Sequence, residues 1–176
     1  GQVIHTARWN HDADLRGKRI AVIGTGASAL QLIPEIAGGA QQLDVYQRTA
    51  IWVMPKVDFA IAREVQALFE AAPPTQQLMR VVTSAATEVI MVLGVVQHTK
   101  FPFLVRAMER VCLEHLQRQV KDPEVRRKLT PRYSFGCKRP SFSNRYLSTF
   151  NRPNTELITA PIARIIVCCS TVHEPS

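Results

Sequence analysis

Residues 17–31, GKRIAVIGTGASALQ, constrain this chain more than any other segment. Lys18 to Ile23 is an apolar, β-branched run that predicts a strand. Gly24-Thr25-Gly26-Ala27-Ser28-Ala29 fits G-x-G-x-x-(G/A), and Leu30, Ile33, Ile36 and Ala37 continue at helical spacing. Strand, glycine turn and helix in that order form a cradle for a dinucleotide pyrophosphate. Gly24 permits the tight turn, Gly26 lets the backbone approach the phosphates, and Ala29 lets helix and strand pack closely. The helix start offers free N–H groups and the positive end of its dipole. Thr25, Ala27, Ser28 and Gln31 therefore join the two glycines as candidate contacts. Without both flanks, the same glycines would specify turn geometry and nothing more.

The next strand, expected over Gln42 to Gln47, ends in Gln47-Arg48-Thr49. An NAD site places an acidic residue near this strand end to bind the ribose 2′-hydroxyl. Here a guanidinium and a hydroxyl stand there instead, suited to a 2′-phosphate that no carboxylate repels. Asp44 is close but lies inside the strand pattern. The expected cofactor is NADPH in preference to NADH, with Arg48 and Thr49 on its 2′-phosphate. Read apart from the glycine turn, Arg48 is an ordinary solvated arginine.

The chain has 176 residues, enough for one domain with a sizeable core. Its net charge of +8 raises nucleic acid as a partner, but the basic residues are scattered and no aromatic-interleaved patch occurs. A basic surface plus an anionic cofactor accounts for the charge, and no nucleic acid is expected. The longest apolar stretch, Val89 to Val96, is too short to span a bilayer, and no signal-peptide pattern opens the chain. Cys112, Cys137, Cys168 and Cys169 form no C-x-x-C pair, and the five histidines are dispersed. The expectation is a cytoplasmic protein with reduced thiols and no metal site.

Along the chain, residues 1–16 read as a linker. Residues 17–56 and 131–167 are expected to form one Rossmann-like α/β domain, interrupted by a helical insert over 57–130, with a divergent tail at 168–176. Within the insert, Ile61, Val65, Leu68 and Phe69 predict a helix over 58–71. Pro73-Pro74 breaks it, and Thr75 is the expected cap of a helix running toward Val92. A third helix over 103–120 carries Leu104, Met108, Val111 and Leu116 on one face. Asp122-Pro123-Glu124 is a capped start for a fourth, ending near Thr130-Pro131. These apolar stripes are expected to pack as core. After a loop from Tyr133 to Asn154, strands are expected at Thr155–Thr159 and Ile162–Val167.

Three segments together resemble flavin-dependent Baeyer–Villiger monooxygenases of the wider flavin-containing monooxygenase superfamily, over about residues 1–164. Gly1, His5 and Trp9 are similar to the family fingerprint F-x-G-x-x-x-H-x-x-x-W-(P/D) with its first two positions absent; Asn10 departs from the final one. GTGASALQ with VYQRTAIWVMPK matches the family's NADPH domain, including Arg48 and Thr49. The third segment, LTPRYSFGCKRPSFSNRYLSTFNRPNTELIT at 129–159, is the most specific. Its Lys138 and Arg139 match a Lys-Arg pair in the family. The resemblance implies that Lys138 helps hold the 2′-phosphate. It implies that Arg139 sits by the flavin and stabilises negative charge on its oxygen adduct, as a fixed guanidinium can. His5 and Trp9 would lie on a linker that couples domain movement to turnover.

The implied activity is NADPH-, FAD- and O2-dependent insertion of oxygen beside a ketone carbonyl. Family members carry an earlier glycine unit for FAD; this chain has one glycine motif and is expected to lack that N-terminal unit and to be inactive alone. Three other readings stay open: an N- or S-oxygenating flavin monooxygenase, a catalytically inactive NADPH-binding fragment, and a basic nucleic-acid-binding protein.

Overall fold

A computed structural model describes residues 1–56, 58, 60–92, 100, 102–162 and 164. Its centre is a parallel three-stranded sheet of β1 (Arg19–Ile23), β2 (Gln42–Tyr46) and β5 (Thr155–Ile158), in the order β1-β2-β5. Ile20 lies opposite Leu43, and Leu43 opposite Thr155. Helix α1 (Ala27–Ile36) makes the crossover between β1 and β2, as parallel neighbours require. The strand expected from Lys18 begins at Arg19, and the one expected to reach Gln47 stops at Tyr46. The Gln47 N–H still continues the ladder by donating to the Ile158 carbonyl at 2.8 Å.

Alternation explains which face of the sheet is filled. Val22, Leu43, Val45 and Leu157 point into one core together with Ala29, Leu30, Ile33 and Ala37 of α1. Ala29 is small at the point where helix and strand meet, as the glycine motif predicts. Ile23, by contrast, is 60% exposed and borders a cleft.

A second, two-stranded parallel sheet pairs β3 (Val53–Met54) with β4 (Ser141–Phe142). Between them in the chain come α2 (Arg63–Ala71), α3 (Pro73–Met91), α4 (Pro102–Gln119) and α5 (Pro123–Leu129). The short α6 (Tyr146–Thr149) follows β4. The stretch expected as one loop from Tyr133 to Asn154 thus contains a strand and a helix. A two-residue strand and a four-residue helix lie below the length at which periodicity can be read.

Other details correct the sequence reading. The helix expected from residue 58 starts at Arg63, and Ile61 precedes it. Thr75 does not cap α3. The helix starts at Pro73 with Ala72 in the capping position, and the Thr75 hydroxyl donates back to the Ala72 carbonyl at 2.7 Å. Both prolines fit the first turn, where the missing N–H costs nothing. On α4 the buried residues are Val105, Cys112 and Leu116, whereas Val111 is 42% exposed. Of the expected face, Leu116 is buried and Leu104 and Met108 are half-buried, so Val111 alone departs from it. Several apolar residues of α2 and α3 are not core either: Leu68, Leu78, Met79, Val81 and Val82 are all exposed. Asp122 behaves as expected, its carboxylate accepting from the N–H groups of Glu124 and Val125.

No helix among the described residues is long and apolar enough to cross a membrane. Val89–Val96 lies partly outside those residues. So do most of the strand expected at Ile162–Val167 and the whole tail with Cys168 and Cys169; Ile162 and Arg164 are described and belong to no strand.

Candidate functional site

The carboxyl ends of all three central strands open onto one side, the position at which parallel α/β sheets bind ligands. After β1 the chain turns at Gly24, whose φ of +100° is a left-handed value that a side chain would strain. The Gly24 N–H donates to the Tyr46 carbonyl at 2.9 Å, tying this turn to the end of β2. Gly26 occupies the capping position of α1 with extended backbone, and no side chain caps the helix. No acidic residue stands in the first turn. A Cβ built on Gly26 would meet nothing within 4 Å, so the approach to these N–H groups is open. An uncapped helix start with a clear approach suits a phosphate.

A cleft of about 600 Å³ lies beside this turn. Gly24 and Thr25 form one wall, Arg48 and Thr49 another, and Lys138 reaches in from the loop before β4. The Thr25 hydroxyl donates to the Thr49 carbonyl at 3.4 Å, linking two of these walls. Arg48 is exposed and makes no ion pair with any described residue. Among the described residues, no carboxylate lines the cleft. Asp44 sits in mid-strand, where its carboxylate accepts from the Gln42 amide at 2.9 Å. The charge pattern at the β2 end therefore favours an anionic group over a ribose hydroxyl.

A second cleft of about 360 Å³ shares Gln47, Arg48, Thr49 and Thr159 with the first. Its further walls include Arg127, Lys128, Arg132 and Tyr133. Arg127 is already paired with Glu124 at 2.8 Å, and the guanidinium holds that carboxyl below its usual range. Gln47 is buried, its amide donating to the Lys128 carbonyl at 2.7 Å, and so fastens the end of β2 to α5. Sequence reasoning placed Lys128, Arg132 and Tyr133 in a helix end and a loop and assigned none of them to the site. The hydrogen bond from Gln47 to α5, across 81 residues of sequence, helps bring them there.

The loop carrying Lys138 is held from behind. The indole N–H of Trp52 donates to the Tyr133 carbonyl at 2.9 Å. Trp52 is buried against Phe135, with ring centroids 6.2 Å apart. The Phe135 N–H donates to the Glu109 carboxylate of α4 at 2.9 Å. Gly136 then turns the chain with φ +96°. Burial, with Glu109 adding to it, pushes the neighbouring Cys112 thiol up to about 12.

The structure thus brings Gly24, Thr25, Arg48, Thr49 and Lys138 to one cleft. Gly26, Ala27, Ser28 and Gln31 are exposed on the first turns of α1 and do not line it. Arg139 is exposed beside Lys138 and lines neither cleft. Gly1, His5 and Trp9 lie on the N-terminal segment, away from the lining. The His5 carbonyl accepts from the Arg8 N–H at 2.8 Å, and its Nδ1 accepts from the Ala7 N–H at 3.2 Å, forming a local turn. No group of three or more metal-ligating side chains occurs among the described residues. The asparagines of NRPN are structural. Asn151 accepts from the Lys121 N–H and donates to the Gln119 carbonyl, and Asn154 donates to the carbonyls of Ala37 and Ala40.

Residues 1–68 match the family described as flavin-binding monooxygenase-like. A Baeyer-Villiger monooxygenase from Pseudomonas aeruginosa is 42% identical over 165 residues, which cover 94% of this chain and 31% of that protein. One from Streptomyces coelicolor is 40% identical over the same shares. Among solved structures, an oxidized steroid monooxygenase bound to NADP superposes with a TM-score of 0.69 at 30% identity, over 90% of this chain and 36% of the other. The polycyclic ketone monooxygenase from Thermothelomyces thermophila gives 0.73 at 28% identity, over 90% and 32%. The chain spans about a third of the length of the curated relatives it matches.

Proposed function

Because the chain is homologous over nearly its whole length to part of the Baeyer–Villiger monooxygenases, we propose that it supplies the NADPH-binding part of an FAD- and NADPH-dependent enzyme that inserts oxygen beside a ketone carbonyl. The observation that carries this reading is the cleft at the strand ends, where Arg48, Thr49 and Lys138 meet the glycine turn and no carboxylate of the described residues intervenes.

When bound, NADPH supplies a hydride, and the flavin supplies the oxygen chemistry. The chain's own part is binding and charge. The Gly24–Gly26 turn and the open N–H groups of α1 hold the pyrophosphate. Arg48 and Lys138 bracket the 2′-phosphate, and Thr49 donates a hydroxyl hydrogen bond to it. Arg139, exposed one residue further on and outside both clefts, would supply positive charge to stabilise the flavin's oxygen chemistry. O2 and a small ketone are the other reactants.

Titration of the chain with NADPH and NADH tests the nucleotide reading. A charged contact contributes about 1.5–3 kcal/mol, so Arg48→Ala is expected to weaken NADPH binding at least tenfold and leave NADH nearly unchanged. Equal loss for both nucleotides would assign Arg48 to the pyrophosphate or to the fold. For the oxygenation reading, the same segment is assayed within an FAD-containing enzyme. There Arg139→Ala should leave NADPH oxidation intact and abolish ester formation. Ester formed at the parent rate would remove Arg139 from the chemistry.

A further inference from the structure

We propose that Tyr133 is a positioning residue for Lys138 and thereby contributes to selectivity for NADPH over NADH. The inference rests on the nucleotide reading above and adds a residue to it. Lys138 is exposed, and among the described residues no carboxylate pairs with its ammonium. Its Nζ instead stands 4.9 Å from the centroid of the Tyr133 ring. The ring face attracts the cation without neutralising it.

That difference matters for a residue that must receive a phosphate. A carboxylate at the same place would form an ion pair that an incoming 2′-phosphate would have to displace. With no partner at all, a lysine side chain has several rotatable bonds and loses much freedom when it docks. An aromatic face lies between these cases: it narrows the range of the side chain and leaves the full charge available.

Tyr133 is itself well placed for this. Its carbonyl is fixed by the Trp52 indole at 2.9 Å, and Trp52 is anchored on Phe135 in the core beneath the loop. Tyr133 packs, half-buried, on the same cluster. Tyr133 borders the cleft that holds Arg127, Lys128 and Arg132, while Lys138 borders the cleft that holds the glycine turn. The two clefts share Arg48 and Thr49. The aromatic face therefore holds Lys138 at the cleft that Arg48 also lines. Tyr133→Phe keeps the face, and Tyr133→Leu removes it with similar bulk.

The test is nucleotide titration of the 176-residue chain and its variants, with each unfolding midpoint measured alongside. Tyr133→Leu should weaken NADPH binding about three- to fivefold, as expected for an exposed cation–π contact, and change NADH binding less than twofold. Tyr133→Phe should bind both nucleotides as the unsubstituted chain does. In a Lys138→Ala background, Tyr133→Leu should have no further effect on NADPH. Equal loss of NADPH and NADH binding would overturn the proposal, as would an undiminished effect in the Lys138→Ala background. If Tyr133→Leu fails to fold, loss of selectivity in Tyr133→Phe overturns it equally. An unsubstituted chain that binds NADH as tightly as NADPH would overturn the nucleotide reading itself, before any Tyr133 variant is compared.

Discussion

Asn144 and Lys56 exchange two hydrogen bonds. The Asn144 Oδ1 accepts from the Lys56 N–H at 2.8 Å, and the Asn144 amide donates to the Lys56 carbonyl at 2.7 Å. One side chain thus mimics a strand partner and extends the β3–β4 pairing past its last regular bond, from the Ser143 N–H to the Met54 carbonyl. The segment containing Lys138 and Arg139 enters this pairing directly. Asn144→Ala should destabilise the fold by about 1 kcal/mol, because both bonds are partly open to water. Denaturant titration measures it, and a change under 0.3 kcal/mol would mean that water replaces the clasp.

The two glycines of the turn should separate folding from binding. Gly24→Ala places a side chain at φ +100°, which costs about 1–2 kcal/mol of stability. Gly26→Ala has ordinary φ and free space around the new methyl group. It should leave the unfolding midpoint unchanged and still weaken both nucleotides, since the methyl projects where the phosphates approach. If Gly26→Ala binds NADPH normally, the pyrophosphate does not lie over that residue.

Lys138 and Arg139 should likewise separate. Only Lys138 lines the cleft. Arg139→Ala is expected to leave NADPH affinity within twofold of the parent, while Lys138→Ala lowers it several-fold. Calorimetric titration distinguishes the two.

The departure of Val111 from the buried face of α4 can be checked by truncation. Leu116→Ala removes a buried side chain from the main core and should cost about 2–5 kcal/mol. Val111→Ala, on the exposed side, should cost less than about 0.5 kcal/mol. Comparable losses would restore the face expected from the sequence.

Cysteine chemistry gives a pH test. With Cys168 and Cys169 replaced by serine, a thiol reagent at neutral pH should label exposed Cys137 quickly and buried Cys112 only on unfolding. The Cys112 thiol is pushed from 9.0 up to about 12 by burial. A group whose folded value is raised adds stability that is full below the unfolded value and is lost as pH climbs through the folded one. Stability should therefore decline from about pH 9 to about pH 12. In Cys112→Ala that part of the decline should vanish.

Much of the candidate site was legible in the sequence because its geometry is local. Gly24, Gly26 and Ala29 act within one strand-turn-helix, and Arg48 and Thr49 follow at the next strand end. The motif therefore specifies both the conformation and the neighbours. Tyr133, Gln47 and Arg132 were not legible as site residues. Their place depends on β2 meeting α5 and on Trp52 reaching the Tyr133 carbonyl, contacts between segments far apart in the chain. The stripes of α2 and α3 misled for a different reason. Periodicity reports that a helix has an apolar side, but not that anything covers it; Leu78 and Val81 are exposed all the same.

The middle strand of the central sheet has one neighbour from close in the chain and one from far away. β1 can pair with β2 as soon as α1 has formed, whereas β5 reaches β2 only after the five described helices α2 to α6 and a second sheet have intervened. Until then, the edge of β2 from Leu43 to Tyr46 offers unpaired backbone groups to any passing strand. The pairing of β5 thus determines when the cleft at the strand ends closes, since Thr159 and Ala160 of its wall follow directly from that strand. A contact order of this kind makes for slow folding and a long window for misassociation. A nascent chain halted before Thr155 would hold a complete glycine turn on an unfinished sheet.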